Sequence, residues 1–162
     1  MADPIAAKIL TVSDGVVHGT RDDTSGAALE AQLTAAGHRV VQREIVADEE
    51  RAIAAIVQGI LEAPGVQAAI LTGGTGVAPR DVTPEAVTPL LEREIPGFGE
   101  LFRMLSYEEI GSGALLSRAL AGLAAGTVLL VLPGSRGAVQ LGMQKLVLPE
   151  LGHLVAEAQK RT

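Results

Sequence analysis

The chain contains no cysteine, tryptophan or asparagine, and only three aromatic residues, Phe98, Phe102 and Tyr107. Without cysteine, disulfides, thiol nucleophiles and thiolate metal sites are excluded. The missing asparagine fits a thermophilic protein, although three lysines are few for one, and it fits a GC-rich genome equally well. Long apolar runs are absent too. None approaches the ~18 residues a membrane span requires, and Val128 to Leu132 suits a buried strand. Basic residues are outnumbered, 13 against 19 acidic, for a net charge of −6, and they are scattered. A nucleic-acid groove needs a clustered positive face, so nucleic acid is not an expected partner. Met1-Ala2-Asp3-Pro4 has neither the basic nor the apolar part of a signal peptide, and a cytoplasmic protein is expected.

What remains is a chain of 162 residues, 48% of them apolar, enough for one domain over residues 1–162 with one core. Lys8 to Val12 reads as a strand, a helix begins near Thr24 and closes at Gly37, and Arg39 to Val46 reads as a second strand. Ile53, Ile56, Val57, Ile60 and Leu61 then recur with helical period after Asp48. Ala68 to Thr72 and Val128 to Leu132 are two more strands. Thr83-Pro84-Glu85 looks like a helix start with Thr83 as its cap, Leu115 to Leu123 reads as a helix, and a last helix turns Leu148, Leu151 and Val155 inward. Strands alternating with helices predict an α/β fold with a mostly parallel, doubly wound sheet covered on both faces. Ligands of such sheets bind beyond the carboxyl ends of the strands. The loops starting at Ser13, Ala47, Thr72 and Pro133 should therefore open on one edge.

Two patterns there carry chemistry. Thr72-Gly-Gly-Thr-Gly76 follows a buried strand, and glycines let the backbone bring its N–H groups to an anion. It is neither a Walker loop nor a dinucleotide fingerprint, since the lysine and the spacing are missing. A plain tight turn is the alternative. Asp14, Asp48 and Asp81 also fall at strand ends. Singly, each has a local explanation: Asp48 as a helix cap, Asp14 as a turn cap, Asp81 as a partner of Arg80. Together they suit a Mg²⁺ ion shared with substrate phosphates, and hence nucleotidyl or phosphoryl transfer. Arg118, after Ser117, reads either as a phosphate clamp or as a solvated residue near the start of a helix. The three aromatics suggest a small satellite core first, then a subunit interface, then a stacking surface. His18, His38 and His153 lack ligand spacing and receive no role.

Read in order, these motifs resemble the MogA/MoaB family of molybdenum-cofactor biosynthesis. The resemblance rests on Thr72 to Gly76 with Arg80-Asp-Val-Thr-Pro-Glu-Ala86, Pro96-Gly-Phe-Gly-Glu100, Leu116-Ser-Arg118, Leu132-Pro-Gly-Ser135, and the opening Thr11-Val-Ser-Asp14 with Asp23-Thr-Ser-Gly26. It spans essentially the whole chain, and Gly99 to Gly111 is closer to the MoaB branch. It implies a three-layer, molybdopterin-binding-like α/β domain forming a homotrimer or a dimer of trimers. The implied reaction is Mg²⁺-dependent transfer of an adenylyl group from ATP to molybdopterin, with release of pyrophosphate. By the resemblance, Asp48 and Asp81 are catalytic and handle the metal, and Gly73, Gly74, Thr75 and Gly76 hold ATP phosphates. Ser13, Asp14, Ser117, Arg118, Pro133, Gly134 and Ser135 line the pterin and nucleotide groove. A metal-insertion protein would receive the product. The alternative is a pterin-binding or carrier protein with the same fold and the same groove and no turnover. This chain departs from many relatives at Gly15, where they carry arginine, and at Arg136-Gly137, where they continue with proline.

Overall fold

The computed structural model describes residues 3–160, so Met1 and Ala2 of the N-terminal reading lie outside the described residues. Six strands form one sheet in the order β2-β1-β3-β6-β5-β4. They are β1 (Ala6–Val12), β2 (Arg39–Val46), β3 (Ala68–Thr72), β4 (Arg93–Glu94), β5 (Leu120–Ala124) and β6 (Thr127–Leu132). β1, β2, β3 and β6 are parallel neighbours, while β5 runs antiparallel to β6 and β4 antiparallel to β5. The helices are α1 (Asp14–Val17), α2 (Thr24–Ala35), α3 (Glu50–Glu62), α4 (Thr83–Val87), α5 (Pro96–Ile110), α6 (Arg136–Gly142) and α7 (Leu148–Ala158).

Successive strand residues point to opposite faces, which builds two cores from one sheet. Ile9, Ile70 and Leu130 pack with Leu29 and Leu33 of α2, Phe102 of α5 and Leu151 of α7. Their neighbours Leu10, Leu71 and Val131 pack on the other side with Ile53, Val57 and Ile60 of α3 and Ala86 and Val87 of α4. Every residue of the central strands β3 and β6 is buried, which explains why they read as unbroken apolar runs. The result is the expected three-layer α/β domain.

Several local expectations need correction. Leu115 to Leu123 is not a helix: Gly111–Leu116 is a 3-10 turn, and Leu120–Ala124 is strand β5. Leu and Ala have strong helix propensity, yet tertiary pairing prevails, since Leu120 to Ala124 align with Val131 to Thr127 of β6. The hairpin turns through Ala125 (φ 50°) and Gly126 (φ 75°), the two positive values of a type I′ turn. Gly122 is required because a Cβ there would strike Leu91 and the Arg93 carbonyl of the crossing segment. Ser117 and Arg118 consequently lie on the extended approach to β5, away from any helix start. α5 was not legible as a helix; glycines at 97 and 99 in its first turn disguise it. Phe98 and Phe102 belong to the main core instead of a satellite one, stacked with ring centroids 6.5 Å apart, while Tyr107 is exposed.

Candidate functional site

Four parallel strands end at the same edge, and the loops leaving them enclose a groove of about 800 Å³. Ser13, Asp14, Asp48, Thr72 to Gly76, Asp81, Ser117 and Pro133 to Ser135 all line it, so the four loops do open together.

The glycine loop is built by backbone necessity. Gly73 (φ 107°) and Gly74 (φ 68°) lie in the left-handed region. A Cβ on Gly73 would collide with the Val12 carbonyl oxygen, and one on Gly74 with the Thr83 hydroxyl. Their lack of a side chain therefore serves close packing of the loop against β1 and α4. The donors are placed further along. Gly73 N–H donates to the Leu132 carbonyl at 3.0 Å, whereas the N–H groups of Gly74, Thr75 and Gly76 meet no acceptor among the described residues. Consecutive unpaired amides beside a groove form an anion-binding concavity. Thr83 does not cap α4; its hydroxyl donates to the Gly73 carbonyl at 2.8 Å, and Val82 occupies the cap position.

The carboxylates are fixed by backbone amides. Asp14 N–H donates to Asp48 Oδ2 at 3.0 Å, and Asp48 N–H donates to Asp14 Oδ1 at 2.9 Å. Asp48 is thus no helix cap: Glu49 stands at that position of α3 with no side-chain cap bond. Asp81 Oδ2 accepts from Ala78 N–H at 3.0 Å and lies 2.6 Å from where a Gly76 Cβ would stand. No ion pair joins Asp81 to Arg80 among the described residues. Asp48 Oδ1 and Asp81 Oδ1 accept no hydrogen bond there either, which leaves one oxygen of each carboxylate available.

The remaining walls are tied to the sheet. Ser13 caps α1 and Ser135 caps α6, each accepting from the amide three residues on. The Ser25 hydroxyl donates to the Gly134 carbonyl at 2.7 Å and the Thr72 hydroxyl to Pro133 at 2.8 Å. Asp23 caps α2 by accepting from Gly26 N–H, also accepts from Thr11 Oγ1, and faces Arg43 Nε at 3.4 Å. Ser117 Oγ is buried and meets no hydrogen-bond partner among the described residues.

Arg118 is the expected groove residue that the structure moves. It is absent from the groove lining and lies behind the glycine loop. Its Nε donates to the Gly76 carbonyl at 2.9 Å, its Nη2 to the Asp81 carbonyl at 2.7 Å, and its Nη1 pairs with Glu85. That hydrogen bond holds the Glu85 carboxyl below the ordinary carboxylate range. Sequence reasoning missed Arg21 and took Arg80 only as a partner of Asp81; both are groove cations with no carboxylate partner among the described residues. Their signal was the polar stretch His18 to Ser25 and the residue before Asp81. Arg21 also bears on the departure at Gly15, because its Cβ lies 3.4 Å from where a Gly15 Cβ would stand. An arginine therefore flanks that point of the wall from six residues later. Arg136 and Gly137 are the first two residues of α6, directly after the Ser135 cap.

Among the described residues, no helix is long and apolar enough to cross a membrane. Residues 8–153 match the family described as "Probable molybdopterin binding domain". The chain is 48% identical over 160 residues to Molybdenum cofactor biosynthesis protein B of Bacillus subtilis, covering 98% of this chain and 92% of that one. A crystal structure of a Molybdenum cofactor biosynthesis protein B superposes with a TM-score of 0.93 at 46% identity, covering 99% of both chains. The tungsten cofactor synthesizing protein MoaB from Pyrococcus furiosus superposes with a TM-score of 0.88 at 34% identity, covering 99% of this chain and 100% of that one. The chain therefore belongs to the MoaB/MogA family of molybdopterin-binding-domain proteins and has its place in molybdenum cofactor biosynthesis.

Proposed function

We propose that the protein transfers the adenylyl group of MgATP to the phosphate of molybdopterin. The observation that carries this reading is the pairing of free amides at Gly74, Thr75 and Gly76 with two half-engaged carboxylates, Asp48 and Asp81, on one groove. A molybdopterin phosphate oxygen attacks the α-phosphorus of ATP. The bond from that phosphorus to the bridging oxygen breaks, and pyrophosphate leaves with the electron pair.

The donor set can be tested against Mg²⁺. Among the described residues, no group of three or more His, Cys, Asp or Glu could hold a metal alone. Mg²⁺ keeps several waters and is usually bound by one or two carboxylates plus substrate phosphates. One free oxygen on each of Asp48 and Asp81 fits an ion that arrives with ATP. When bound, the ion supplies charge neutralisation on the phosphates. Arg21 and Arg80 add positive charge to the groove, the loop amides hold phosphate oxygens, and the unpaired Ser117 hydroxyl, with Ser13 and the Pro133 to Ser135 loop, orients the second substrate.

Self-association belongs to the same reading. Leu101, Met104, Tyr107 and Ile110 lie exposed at three-residue spacing on α5 and continue into exposed Leu115 and Leu116. An apolar face of this kind suits contact with further copies, giving a homotrimer or a dimer of trimers. The product would pass to a metal-insertion protein.

The test is Asp81→Asn. Pyrophosphate release should fall by orders of magnitude while molybdopterin affinity stays within about twofold, because the lost charge acts on the transition state. Equal losses in both would contradict the assignment. Tight pterin binding by the wild-type protein without pyrophosphate release would make it a carrier.

A further inference from the structure

We infer that Arg118 is a positioning residue for Asp81, working with Glu85 as a clasp on the loop that carries it; this rests on the reading of Asp81 given above. Residues 77–80 are all exposed, so packing alone does little to fix the excursion from Gly76 to Asp81. Within the loop, Asp81 N–H donates to the Ala78 carbonyl at 2.9 Å, and the Asp81 carboxylate accepts from Ala78 N–H. These bonds close the turn on itself and do not anchor it to the sheet.

Thr83 ties the chain beyond the excursion to the glycine loop, its N–H donating to the Gly74 carbonyl at 3.1 Å and its hydroxyl to the Gly73 carbonyl at 2.8 Å, and the excursion itself is anchored by the segment leading into β5. Arg118 N–H donates to the Thr75 carbonyl at 2.9 Å, fixing the guanidinium stem beside the loop. The planar fork then grips both ends of the excursion, through Nε on the Gly76 carbonyl and Nη2 on the Asp81 carbonyl. Glu85, in α4 just beyond the loop, pairs with Nη1 and stops the fork rotating. One rigid group thus spans a gap of four residues and sets the distance between Gly76 and Asp81. It also turns both carbonyl oxygens toward a cation, away from the side where phosphates would lie. A lysine keeps the charge but has no fixed fork, and cannot hold two carbonyls and a carboxylate in one plane.

The test uses the full-length protein with Arg118→Lys, Arg118→Gln and Glu85→Gln. Amide hydrogen exchange on the ligand-free protein reads the clasp without reference to any reaction. Exchange at the hydrogen-bonded amides of this excursion, Ala78 and Asp81, with Thr83 just beyond it, should accelerate about tenfold or more in both Arg118 variants and less in Glu85→Gln, while amides of β1, β3 and β6 keep their protection. Pyrophosphate release should then fall about 100-fold for Arg118→Lys, the scale expected of a misplaced catalytic group, with molybdopterin affinity unchanged. Unchanged exchange at Ala78, Asp81 and Thr83 would overturn the inference, as would faster exchange with full turnover. Loss of protection across the whole sheet would also overturn it, since that marks a general folding role. Absence of turnover in the wild-type protein would instead remove the adenylylation reading, and the exchange result shows separately whether the clasp exists.

Discussion

Asp14 and Asp48 hold each other reciprocally: the backbone N–H of each donates to the carboxylate of the other, at 3.0 and 2.9 Å. The loops after β1 and β2 are thereby stitched together across the groove mouth. Hydrogen bonds to charged groups contribute ~1.5–3 kcal/mol each. Asp14→Ala keeps the backbone N–H that holds the Asp48 carboxylate but leaves the Asp48 N–H without its acceptor, so it should destabilise the protein by about 1–2 kcal/mol and, by loosening the Asp48 backbone, reduce turnover roughly tenfold. Asp48→Ala should lower turnover by orders of magnitude to a residual, measurable rate, and the double variant should be no worse than Asp48→Ala. Additive losses in such a double-mutant cycle would show that the two residues act independently.

The glycine loop makes a prediction about stability. Gly73→Ala places a Cβ against the Val12 carbonyl at φ 107°, and the backbone strain alone costs ~1–3 kcal/mol. Gly59, by contrast, lies exposed inside α3 with nothing within 4 Å of where its Cβ would stand. Gly59→Ala should stabilise the protein by about 0.5–1 kcal/mol. Chemical denaturation of both variants checks the contrast. Equal midpoints would mean that the loop relaxes freely.

The Glu85–Arg118 pair predicts a pH dependence. Glu85 titrates below the ordinary carboxylate range because Arg118 donates to its carboxylate. A depressed folded-state value contributes stability above the unfolded value, and that contribution disappears as pH falls through the folded one. Exchange at Ala78, Asp81 and Thr83 should therefore, after correction for intrinsic rates, hold steady at neutral pH. It should rise only below the ordinary carboxylate range. In Glu85→Gln that rise should vanish.

The apolar face of α5 should govern assembly. Tyr107→Glu together with Ile110→Glu places charge on side chains that are 63% and 65% exposed, so the fold should survive. If the proposed trimer forms through this face, light scattering should report a larger mass for the parent protein and a monomer for the double variant. An unchanged mass would place the interface elsewhere.

Much of this architecture was legible in the sequence because its centre is purely apolar. β3 and β6 are buried on both faces, and an unbroken run such as Ala68 to Leu71 has few other structures available to it. The loops at the groove edge followed from that, through strand direction alone. The antiparallel edge did not. β5 is written in Leu, Ala and Gly, and only its partner β6 and the Ala125-Gly126 turn make it a strand. In the site, residue types pointed to the carboxylates and the glycine loop, but not to how each is held. Arg118 looked like a ligand contact because spacing does not report which side of a loop a side chain takes. The unpaired groove cations Arg21 and Arg80 were hidden because each sits beside aspartates in sequence.

The most direct measurement is the reaction itself. Purified protein is incubated with molybdopterin, ATP and Mg²⁺, and both pyrophosphate and the pterin product are followed, with Asp81→Asn in parallel. Metal-dependent pyrophosphate release matched by a pterin heavier by one adenylyl group, and lost in Asp81→Asn, is the predicted result. A pterin that binds but leaves unmodified from the wild-type protein, with no pyrophosphate, would contradict it.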